Sequence, residues 1–322
     1  MPAVSIVIPS YNHARYLAQT IESALSQSFR DFELLIIDDA SQDNSREIIQ
    51  QYAKRDERIK CWFHEHNEGI ASTFNEGLHR AQGKFYASLG SDDIWLPQKL
   101  ETQVALLNEN EDLVVWSEGQ IIDAAGKPTG ELFTLRHSAT NKQKSGNIFE
   151  ELLQGNFIFG SSLIVKRENA LRIKFNESLK YLNDFLFEVE LAEKYPFYFV
   201  SIPLAQYRIH GDNITLKDTE GWLRDSLFIR ELFLTRYGYR ISPSLKRTLL
   251  LQYSVTLVRV MECKKAMSCV MNAFRIAPFH LSDVKYLLYA VLGGNRGIRF
   301  FLQRSYQLYI GSKRKKGNIG SN

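Results

Sequence analysis

The stretch Phe32-Glu33-Leu34-Leu35-Ile36-Ile37-Asp38-Asp39-Ala40-Ser41 joins an apolar run directly to two adjacent acids and a small polar turn. A short apolar run that ends at turn residues is typical of a strand buried on both faces, as in parallel sheets. Similar runs stand near Val4 to Ile8, Ile59 to Phe63 and Phe85 to Leu89. Helix-like segments alternate with them, near Tyr16 to Gln27, Ser45 to Lys54, Ile70 to Ala81 and Gln98 to Asn108. The alternation predicts an α/β fold with a mostly parallel central sheet flanked by helices.

The pattern changes along the chain and predicts three parts. Residues 1–112 carry the alternation, and residues 113–219 are mixed, with strand-like runs near Leu113 to Trp116, Ile121 to Asp123, Ser161 to Val165 and Tyr198 to Ile202. Residues 220–322 form a helical C-terminal region, with long helices expected at Trp222 to Tyr237 and Leu245 to Val260. With 322 residues, 44% of them hydrophobic, the chain is long enough to bury a full core.

The cysteines and the N-terminal residues indicate the compartment. Cys61, Cys263 and Cys269 are odd in number and lack metal-ligand spacing, which argues against a disulfide framework and a structural zinc site. The first residues carry no basic segment, and Pro9 interrupts their apolar run, so we expect no signal peptide. A reducing, cytoplasmic location fits these features.

Two acidic pairs follow predicted strands. Asp38-Asp39 comes after Ile36-Ile37, and Asp92-Asp93 comes after the run that ends at Leu89. Ligands of open α/β sheets bind at the carboxyl ends of the strands, so we expect the two pairs to face one crevice. Paired carboxylates can hold a hard divalent cation that neutralises a nucleotide diphosphate. The alternative for either pair alone is a solvated turn.

Several segments occur together in one order at compatible spacings. They are Val4 to Asn12, Phe32 to Ser41, Asn67-Glu68-Gly69-Ile70-Ala71 with Asn75-Glu76-Gly77, Ala81-Gln82-Gly83-Lys84-Phe85, and Gly90-Ser91-Asp92-Asp93. In this combination the chain closely resembles the family-2 inverting glycosyltransferases of the GT-A fold. The resemblance is dense from Val4 to about Glu101 and sparser to about Thr215. It implies a nucleotide-sugar-binding half at residues 1–112 and an acceptor-binding half at residues 113–219.

The resemblance assigns roles in a donor pocket. It implies that Pro9 and Tyr11 shape the nucleotide site, with the Tyr11 ring against the base. Asp39 would accept a hydrogen bond from the base. Asn67, Gly69 and Asn75 would line the donor site.

The second acidic pair is expected to bind the metal and the sugar side of the donor. The resemblance implies that Asp93 is the direct ligand of Mn²⁺ or Mg²⁺ and that Asp92 lies near the ribose or the sugar. Many family members carry a further Asp where this chain has Gly90.

An inverting transfer needs a base for the proton of the acceptor hydroxyl. Asp184 is our candidate, because Asn183-Asp184 stands where the family usually has Glu-Asp. On sequence pattern alone, Asp184 is equally well explained as the N-cap of a helix. Glu188, one turn further on the same predicted helix, is a weaker alternative base.

The segment Tyr207-Arg208-Ile209-His210-Gly211 resembles the closing motif of many such enzymes. His210 is expected to be a metal ligand or a phosphate donor. Arg208 is expected to bind the donor by offsetting the charge of the leaving diphosphate. The alternative for His210 is an ordinary surface loop residue.

Positive charge is concentrated at the C-terminal end. From Leu281 onward there are eight Lys and Arg and one acid, so the net charge of +4 arises from this segment. Aromatic and aliphatic residues interleave with arginines before Lys313-Arg314-Lys315-Lys316, and no stretch reaches a spanning length. Two interpretations stay open, an interfacial helix at the cytoplasmic face of the inner membrane, or a helix packed on the domain with a solvated tail. Without a recognition motif, a nucleic-acid partner is not expected.

The sequence thus predicts a metal-dependent, inverting glycosyltransferase of the hexosyltransferase type. The expected donor is a UDP-linked sugar, and the expected acceptor is a glycan or lipid-linked glycan in cell-surface polysaccharide or lipopolysaccharide assembly. A non-catalytic nucleotide-sugar-binding or scaffold protein is the alternative. A sugar nucleotidyltransferase is less favoured, because Pro9-Ser10-Tyr11 stands where a Gly-rich triphosphate loop would be needed. A dinucleotide oxidoreductase is disfavoured by the absence of Gly-x-Gly-x-x-Gly after the first strand.

Overall fold

The computed structural model describes residues 1–137, 139–142, 144–211, 213, 218–277, 283 and 286. The chain divides into two compact units, Met1–Trp222 and Leu223–Asn322. The basic, aromatic segment that begins at Leu281 lies outside the described residues, apart from Asp283 and Tyr286.

The first unit is built on one nine-stranded sheet. Its strands are β1 Val4–Ser10, β2 Phe32–Asp38, β3 Ile59–Phe63, β4 Phe85–Ser88, β5 Ile94–Trp95, β6 Val114–Ile122, β7 Pro128–Leu132, β8 Ile164–Lys166 and β9 Phe197–Arg208. The order is β3-β2-β1-β4-β8-β6-β9-β5, with β7 beside β6. The pairs among β1 to β4 and the pair β6–β9 are parallel, whereas β8 runs antiparallel to both β4 and β6. The predicted α/β class with a mostly parallel sheet is confirmed.

Helices cover both faces of this sheet. They are α1 Ala14–Leu25, α2 Ser45–Ala53, α3 Ile70–Arg80, α4 Lys99–Glu109, α5 Phe133–Arg136, α6 Phe149–Leu153, α7 Arg167–Ile173 and α8 Asn183–Ala192. One core lies between the sheet and α1, α2 and α4, and includes Ile6, Leu17 and Leu100. On α3, a Cβ added at Gly77 would lie 2.4 Å from Cγ1 of Val7 on β1. Glycine therefore lets α3 approach the sheet closely, which places the N-terminus of α3 beside the ends of β1 and β2.

Two sequence predictions in residues 113–219 were wrong. The runs Leu113 to Trp116 and Ile121 to Asp123 belong to one strand, β6. Glu118, which lies between them, is buried, and it accepts hydrogen bonds from the N–H and hydroxyl of Thr134 and from the N–H of Gly119. The predicted strand Ser161 to Val165 begins only at Ile164, after a 3₁₀ turn, Gly160–Ser162.

The second unit is helical, as predicted. Helix α9, Thr219–Leu232, crosses the boundary between the units, and the second unit continues with a π-helical turn Phe233–Tyr237, α10 Pro243–Arg259 and α11 Cys263–Ile276. Helix α11 was not among the two predicted helices. The Ser242 hydroxyl caps α10 by accepting the N–H of Leu245, with Pro243 at the first helical position. A small apolar core joins α10 to α11. Among the helices of the described segments, none has the length and hydropathy needed to cross a membrane.

Candidate active site

The turn after β4 carries the second acidic pair. Leu89 still bonds to the carbonyl of Val7 on β1, and the chain then turns so that the Asp93 N–H donates to the carbonyl of Gly90 (3.1 Å). From α1, the Thr20 hydroxyl reaches the carbonyls of Ser91 (3.0 Å) and Asp93 (2.8 Å). The turn is therefore held from both sides at the carboxyl edge of the sheet.

Gly90 lies directly against the Asp93 carboxylate. A Cβ added at residue 90 would lie 2.7 Å from Oδ2 of Asp93, which is closer than real side chains approach. The space that the additional family Asp would need is thus occupied here by the Asp93 carboxylate. The glycine at position 90 and the orientation of the Asp93 carboxylate therefore depend on each other.

Asp93 is bound on both carboxylate oxygens by protein donors. Its Oδ2 accepts the Ser161 hydroxyl at 2.6 Å, and its Oδ1 accepts the backbone N–H of Arg208 at 3.2 Å. Only 4% of the residue is exposed. Burial, followed by the charge of Asp92, raises the pKa of Asp93 well above its usual range. These contacts join the turn to the Gly160–Ser162 segment and to the end of β9.

Asp92 points the other way, toward two histidines. Its Oδ2 lies 2.9 Å from Nε2 of His210, and 16% of its side chain is exposed. One ligand atom each from His13, Asp92 and His210 fall within 4.8 Å of one another. His13 stands just before α1, and its Nδ1 lies 2.7 Å from the Ser91 hydroxyl. The structure therefore groups Asp92, rather than Asp93, with His210.

Arg208 serves as a clamp in this structure. Its Nε donates to the carbonyl of Asp92 at 2.7 Å, and its Nη2 donates to Oε1 of Gln19 at 2.6 Å. Its Nη1 faces the carbonyls of Asp123 (3.4 Å) and Ala124 (3.5 Å). The guanidinium therefore fixes the Asp92 turn through its backbone carbonyl, and its remaining nitrogens also bond to protein acceptors. Its predicted contact with the leaving diphosphate stays a prediction.

The first acidic pair divides in a similar way. Asp38 is fully buried and accepts hydrogen bonds from Ser41 and from Nε of Arg46 (3.0 Å). Asp39 accepts the backbone N–H groups of Glu68 (2.7 Å) and Gly69 (2.9 Å). Asp38 therefore closes the β2 turn, and Asp39 holds the loop that precedes α3.

Other predicted donor residues surround this loop. The Asn67 side chain donates to the carbonyl of Asp39 at 3.2 Å. Gly69 has a φ of +91°, a left-handed conformation that favours glycine, and is the N-cap of α3. Tyr11 follows β1 with 43% of its surface exposed, and Pro9 lies buried within β1. All four stand at the same edge of the sheet as Asp39.

Asn75 lies on α3 and contacts the 175–177 segment. Its side-chain amide donates to the carbonyl of Phe175 and to Oε1 of Glu177, and its Oδ1 accepts the N–H of Phe175. It is buried in these contacts. The structure therefore uses Asn75 to fix the 175–177 segment, and its predicted place in the donor site stays a prediction.

Asp184 lies in the first turn of α8. This helix begins at Asn183, with Leu182 at the N-cap, so the N-cap alternative for Asp184 was wrong. Burial raises the pKa of Asp184 to about 6, against the lowering effect of hydrogen bonds from the backbone N–H groups of Phe185 and Asp184 itself. A carboxylate with this pKa is ionised at neutral pH and is basic enough to accept a proton.

Glu188 differs from Asp184 in its surroundings. It is fully buried one turn further along α8. Burial, and next the charge of Asp184, raise the pKa of Glu188 well above its usual range. A carboxyl with such a raised pKa is less readily available in the ionised form that a base requires. The surroundings therefore favour Asp184 over the alternative base.

Sequence reasoning did not single out His13, Ser161 or His64. Ser161 bonds to Asp93, His13 bonds to the Ser91 hydroxyl beside the second acidic pair, and His64 lies 2.8 Å from Asp39. Spacing in the sequence carries no signal for such contacts. They arise only when β8, β3 and the start of α1 come together at the sheet edge.

Comparison with known proteins identifies the family. The model of glycosyl transferase family 2 matches residues 5–168. TuaG of Bacillus subtilis, a glycosyltransferase assigned to teichuronic acid biosynthesis, is 32% identical over 215 residues, which are 66% of this chain and 82% of TuaG. An uncharacterized glycosyltransferase of Haemophilus influenzae is 34% identical over 61% of this chain and 76% of its own. Another, from Rickettsia bellii, is 30% identical over 81% of this chain but only 36% of its own.

Solved structures show the same fold at low sequence identity. TarS 1–349 of S. aureus, in complex with UDP-GlcNAc, has a TM-score of 0.58 and 17% identity over 84% of this chain and 89% of its own. The mannosyltransferase PcManGT of Pyrobaculum calidifontis, in complex with GDP-Man and Mn²⁺, has a TM-score of 0.58 and 15% identity over 100% of this chain and 88% of its own. Together with the family match and the curled, mostly parallel sheet, these comparisons show that the chain belongs to glycosyl transferase family 2 and is a glycosyltransferase with the GT-A fold.

Proposed function

We propose that this glycosyltransferase moves a sugar from a nucleotide sugar to a glycan or lipid-linked acceptor, with inversion at the anomeric carbon and with the help of a divalent cation. The observation that carries the proposal is a group of three possible metal ligands: Asp92, which follows β4, His13, which precedes α1, and His210, which follows β9. In the sheet, β4 is separated from β2 only by β1, so this group and Asp39 stand at the same carboxyl edge. Ligands of open α/β sheets bind at such an edge.

Asp92 is the better candidate for the metal ligand, with His210 and His13 beside it. Asp93 is 4% exposed and bonds to Ser161 and Arg208, whereas Asp92 is more exposed and its carboxylate lies in one group with both imidazoles. One carboxylate and two imidazoles suit Mn²⁺ better than Mg²⁺, which prefers oxygen ligands. A cation bound there would offset the charge of the leaving diphosphate. We therefore move the proposed ligand role from Asp93 to Asp92.

Residues 1–112 would hold the nucleotide. Asp39 would accept a hydrogen bond from the base, and the exposed ring of Tyr11 offers an apolar face for the base to stack on. Pro9, Asn67 and Gly69 would complete the pocket from β1 and from the loop before α3. Residues 113–219, which contain α8, would provide the acceptor side.

Asp184 would act as the general base. As the acceptor hydroxyl oxygen forms its bond to the anomeric carbon, its proton would pass to the Asp184 carboxylate. The bond between the anomeric carbon and the diphosphate oxygen breaks, and the nucleoside diphosphate leaves with that electron pair. Attack from the face opposite the leaving group inverts the configuration. The partly raised pKa of Asp184, about 6, supports this role.

The relatives favour a particular pathway class and donor. The assignment of TuaG to teichuronic acid biosynthesis supports a role in cell-surface polysaccharide synthesis, and the UDP-GlcNAc complex of TarS supports a UDP-linked donor. The GDP-Man and Mn²⁺ complex of PcManGT supports a metal-assisted reaction. Peripheral membrane contact through the basic C-terminal segment, a lipopolysaccharide acceptor and a location at the inner membrane stay predictions.

A donor panel tests the proposed function. The melting temperature of the full chain is measured with UDP-, GDP- and CDP-linked sugars, each with Mn²⁺ and with EDTA. We expect a UDP-sugar to raise the melting temperature with Mn²⁺ and not with EDTA. The rise should be measurable, because a ligand at 100 times its Kd stabilises the native state by about 2.7 kcal/mol. The matched control is Asp92→Asn, which should lose the Mn²⁺-dependent part.

Turnover separates the enzyme from the scaffold alternative. Released sugar from the bound donor is followed by proton NMR, which also reports its anomeric configuration. Hydrolysis or transfer with inversion supports the proposal. Binding without any turnover over the whole panel would favour a non-catalytic nucleotide-sugar-binding protein.

A further inference from the structure

His64 lies between two carboxylates directly after β3. Its Nδ1 is 2.8 Å from Oδ1 of Asp39, and its Nε2 is 2.5 Å from Oε2 of Glu76 on α3. Only 8% of the His64 side chain is exposed. An ionised carboxylate offers only acceptors, so both contacts are hydrogen bonds only if both ring nitrogens carry a proton. With both carboxylates ionised, this geometry fits the imidazolium form.

The charged groups around His64 are consistent with that form. Burial disfavours the charge, but hydrogen bonds to Glu76 and Asp39 outweigh burial and raise the pKa of His64. Glu68, in the loop before α3, adds a further negative charge. Arg46 of α2 donates to the backbone carbonyl of His64, and Arg80 of α3 donates to Oε1 of Glu76 at 2.6 Å. Both arginines therefore bond to acceptors other than the ring.

Most of the acceptor capacity of Asp39 is already used. Oδ1 accepts hydrogen bonds from His64 and from the Glu68 N–H, and Oδ2 accepts the Gly69 N–H. A carboxylate oxygen accepts about two hydrogen bonds, so one position stays open, on Oδ2. Only 5% of the Asp39 side chain is exposed, which limits a ligand to one contact with this carboxylate.

Resting on the proposed nucleotide-sugar donor, we propose that His64 is a positioning residue for base recognition. It holds the Asp39 carboxylate in an orientation that leaves one acceptor position for the imino N–H of a base. Uracil presents an imino N–H donor between its two carbonyl carbons, and guanine presents one between its carbonyl carbon and the carbon that carries the amino group. Cytosine presents a bare nitrogen acceptor at the equivalent place, which would face the carboxylate without a proton. His64 thereby sets the class of nucleotide that the enzyme accepts, although it touches no nucleotide itself.

Loss of the His64 proton should weaken this arrangement. A neutral imidazole has one N–H, so it can serve Asp39 or Glu76 but not both, and the other carboxylate then faces a lone pair. The preference for a base with an imino N–H over cytosine should therefore be greatest below the pKa of His64. It should decrease as the pH rises through that pKa. That pKa lies above the ordinary value of 6.5.

Calorimetric titration of the full chain with UDP and with CDP, both with Mn²⁺, tests the proposal between pH 6.5 and 8.5. The ratio of the two affinities cancels the common titration of the phosphates. We expect a preference for UDP that falls with rising pH in the natural protein. In His64→Gln the preference should fall about tenfold, the effect of weakening one charge-assisted hydrogen bond, and should lose its pH dependence.

Two further variants separate positioning from packing. His66→Gln changes an exposed histidine in the same loop and should behave as the natural protein. Glu76→Gln keeps the His64 ring in place but removes one negative partner, so the pH midpoint should move down, as a ring NMR titration of His64 would report.

Each remaining outcome has one meaning. An unchanged UDP-to-CDP ratio in His64→Gln, or equal losses for both nucleotides with a lower melting temperature, would overturn the positioning role. A natural protein that prefers CDP would overturn the proposed base class. If the natural protein binds neither nucleotide nor GDP with Mn²⁺, the proposed function itself fails.

Discussion

The two acidic pairs look alike in the sequence but divide their work in opposite order. After β2 both acids are buried. The first, Asp38, bonds to Ser41 and Arg46 within its own turn and α2, and the second, Asp39, bonds to the loop that precedes α3. After β4 the second acid, Asp93, is the buried anchor, and the first, Asp92, faces the histidines. In each pair one carboxylate fixes the conformation of the turn, and the other contacts the residues proposed to bind the donor or the metal.

The order follows from where each turn begins. Asp38 is the last residue of β2 and still points into the protein, where Ser41 and Arg46 meet it. β4 ends earlier, at Ser88, and the turn returns Asp93 toward the Ser161 hydroxyl. The order of two adjacent acids in the sequence therefore does not reveal their roles. The residues that each carboxylate contacts determine its role.

The largest expected effect separates the members of the second pair. Asp92→Asn should lower transfer about a thousand-fold, since a bound cation contributes several kcal/mol of charge stabilisation. Its melting temperature without Mn²⁺ should stay near that of the natural protein, because the Asp92 carboxylate is partly exposed. Steady-state rates and Mn²⁺ titrations measure both effects.

Asp93→Asn is the matched variant for that comparison. It keeps the size of the side chain but weakens the contacts to Ser161 and the Arg208 N–H. We expect a lower melting temperature with Mn²⁺ affinity within a few-fold of the natural value. If Asp93→Asn instead removed Mn²⁺ binding and Asp92→Asn did not, the original assignment of Asp93 as ligand would be restored.

The first pair should show a smaller, ligand-specific effect. Asp39→Asn should weaken UDP binding about 10- to 100-fold, the range for a hydrogen bond to a charged group. Asp38→Asn should instead lower the melting temperature, because Ser41 and Arg46 lose their buried partner. Calorimetry with UDP and thermal melts of both variants check this. Equal loss of UDP affinity in the two variants would contradict the division of roles.

Gly90→Ala should destabilise the protein by about 1–3 kcal/mol, the usual cost of forcing extra atoms into a packed site. The added Cβ would meet Oδ2 of Asp93 at 2.7 Å. The double variant Gly90→Ala/Asp93→Ala should recover part of the loss, because the colliding atom is gone. Denaturant unfolding of the natural protein, both single variants and the double variant gives the coupling. Additive losses would mean that Gly90 is needed for another reason.

The sheet and most of its helices follow from the sequence because local patterns decide them. Apolar runs followed by turn residues located β1, β2, β3 and β4 to within two residues at each end. Residues 113–219 were harder, because Glu118 is charged and yet buried within β6. Its partner, Thr134, lies on α5, and no local pattern announces that contact.

The site could be predicted only in part for the same reason. The sequence locates the acidic pairs and His210 at the sheet edge, since they follow strands in recognisable motifs. It does not reveal that Asn75 bonds to Phe175, a hundred residues away, or that Arg208 clamps the Asp92 turn. Nor does it indicate that His64 joins Asp39 to Glu76. These are side-chain contacts between distant segments, and they decide which predicted residues remain available to a ligand.

Asp184 lies outside both pairs, and its titration tests whether either pair supplies the base. Because its pKa is raised to about 6 and the ionised form is the base, the transfer rate should be constant above pH 7 and fall at lower pH. From pH 7 to pH 5 the ionised fraction falls about tenfold, and so should the rate. Rates must be measured at saturating Mn²⁺ at each pH, since metal binding is itself pH-dependent. Asp184→Asn should lose this limb of the profile. If the limb persisted in Asp184→Asn, another carboxylate would be the base.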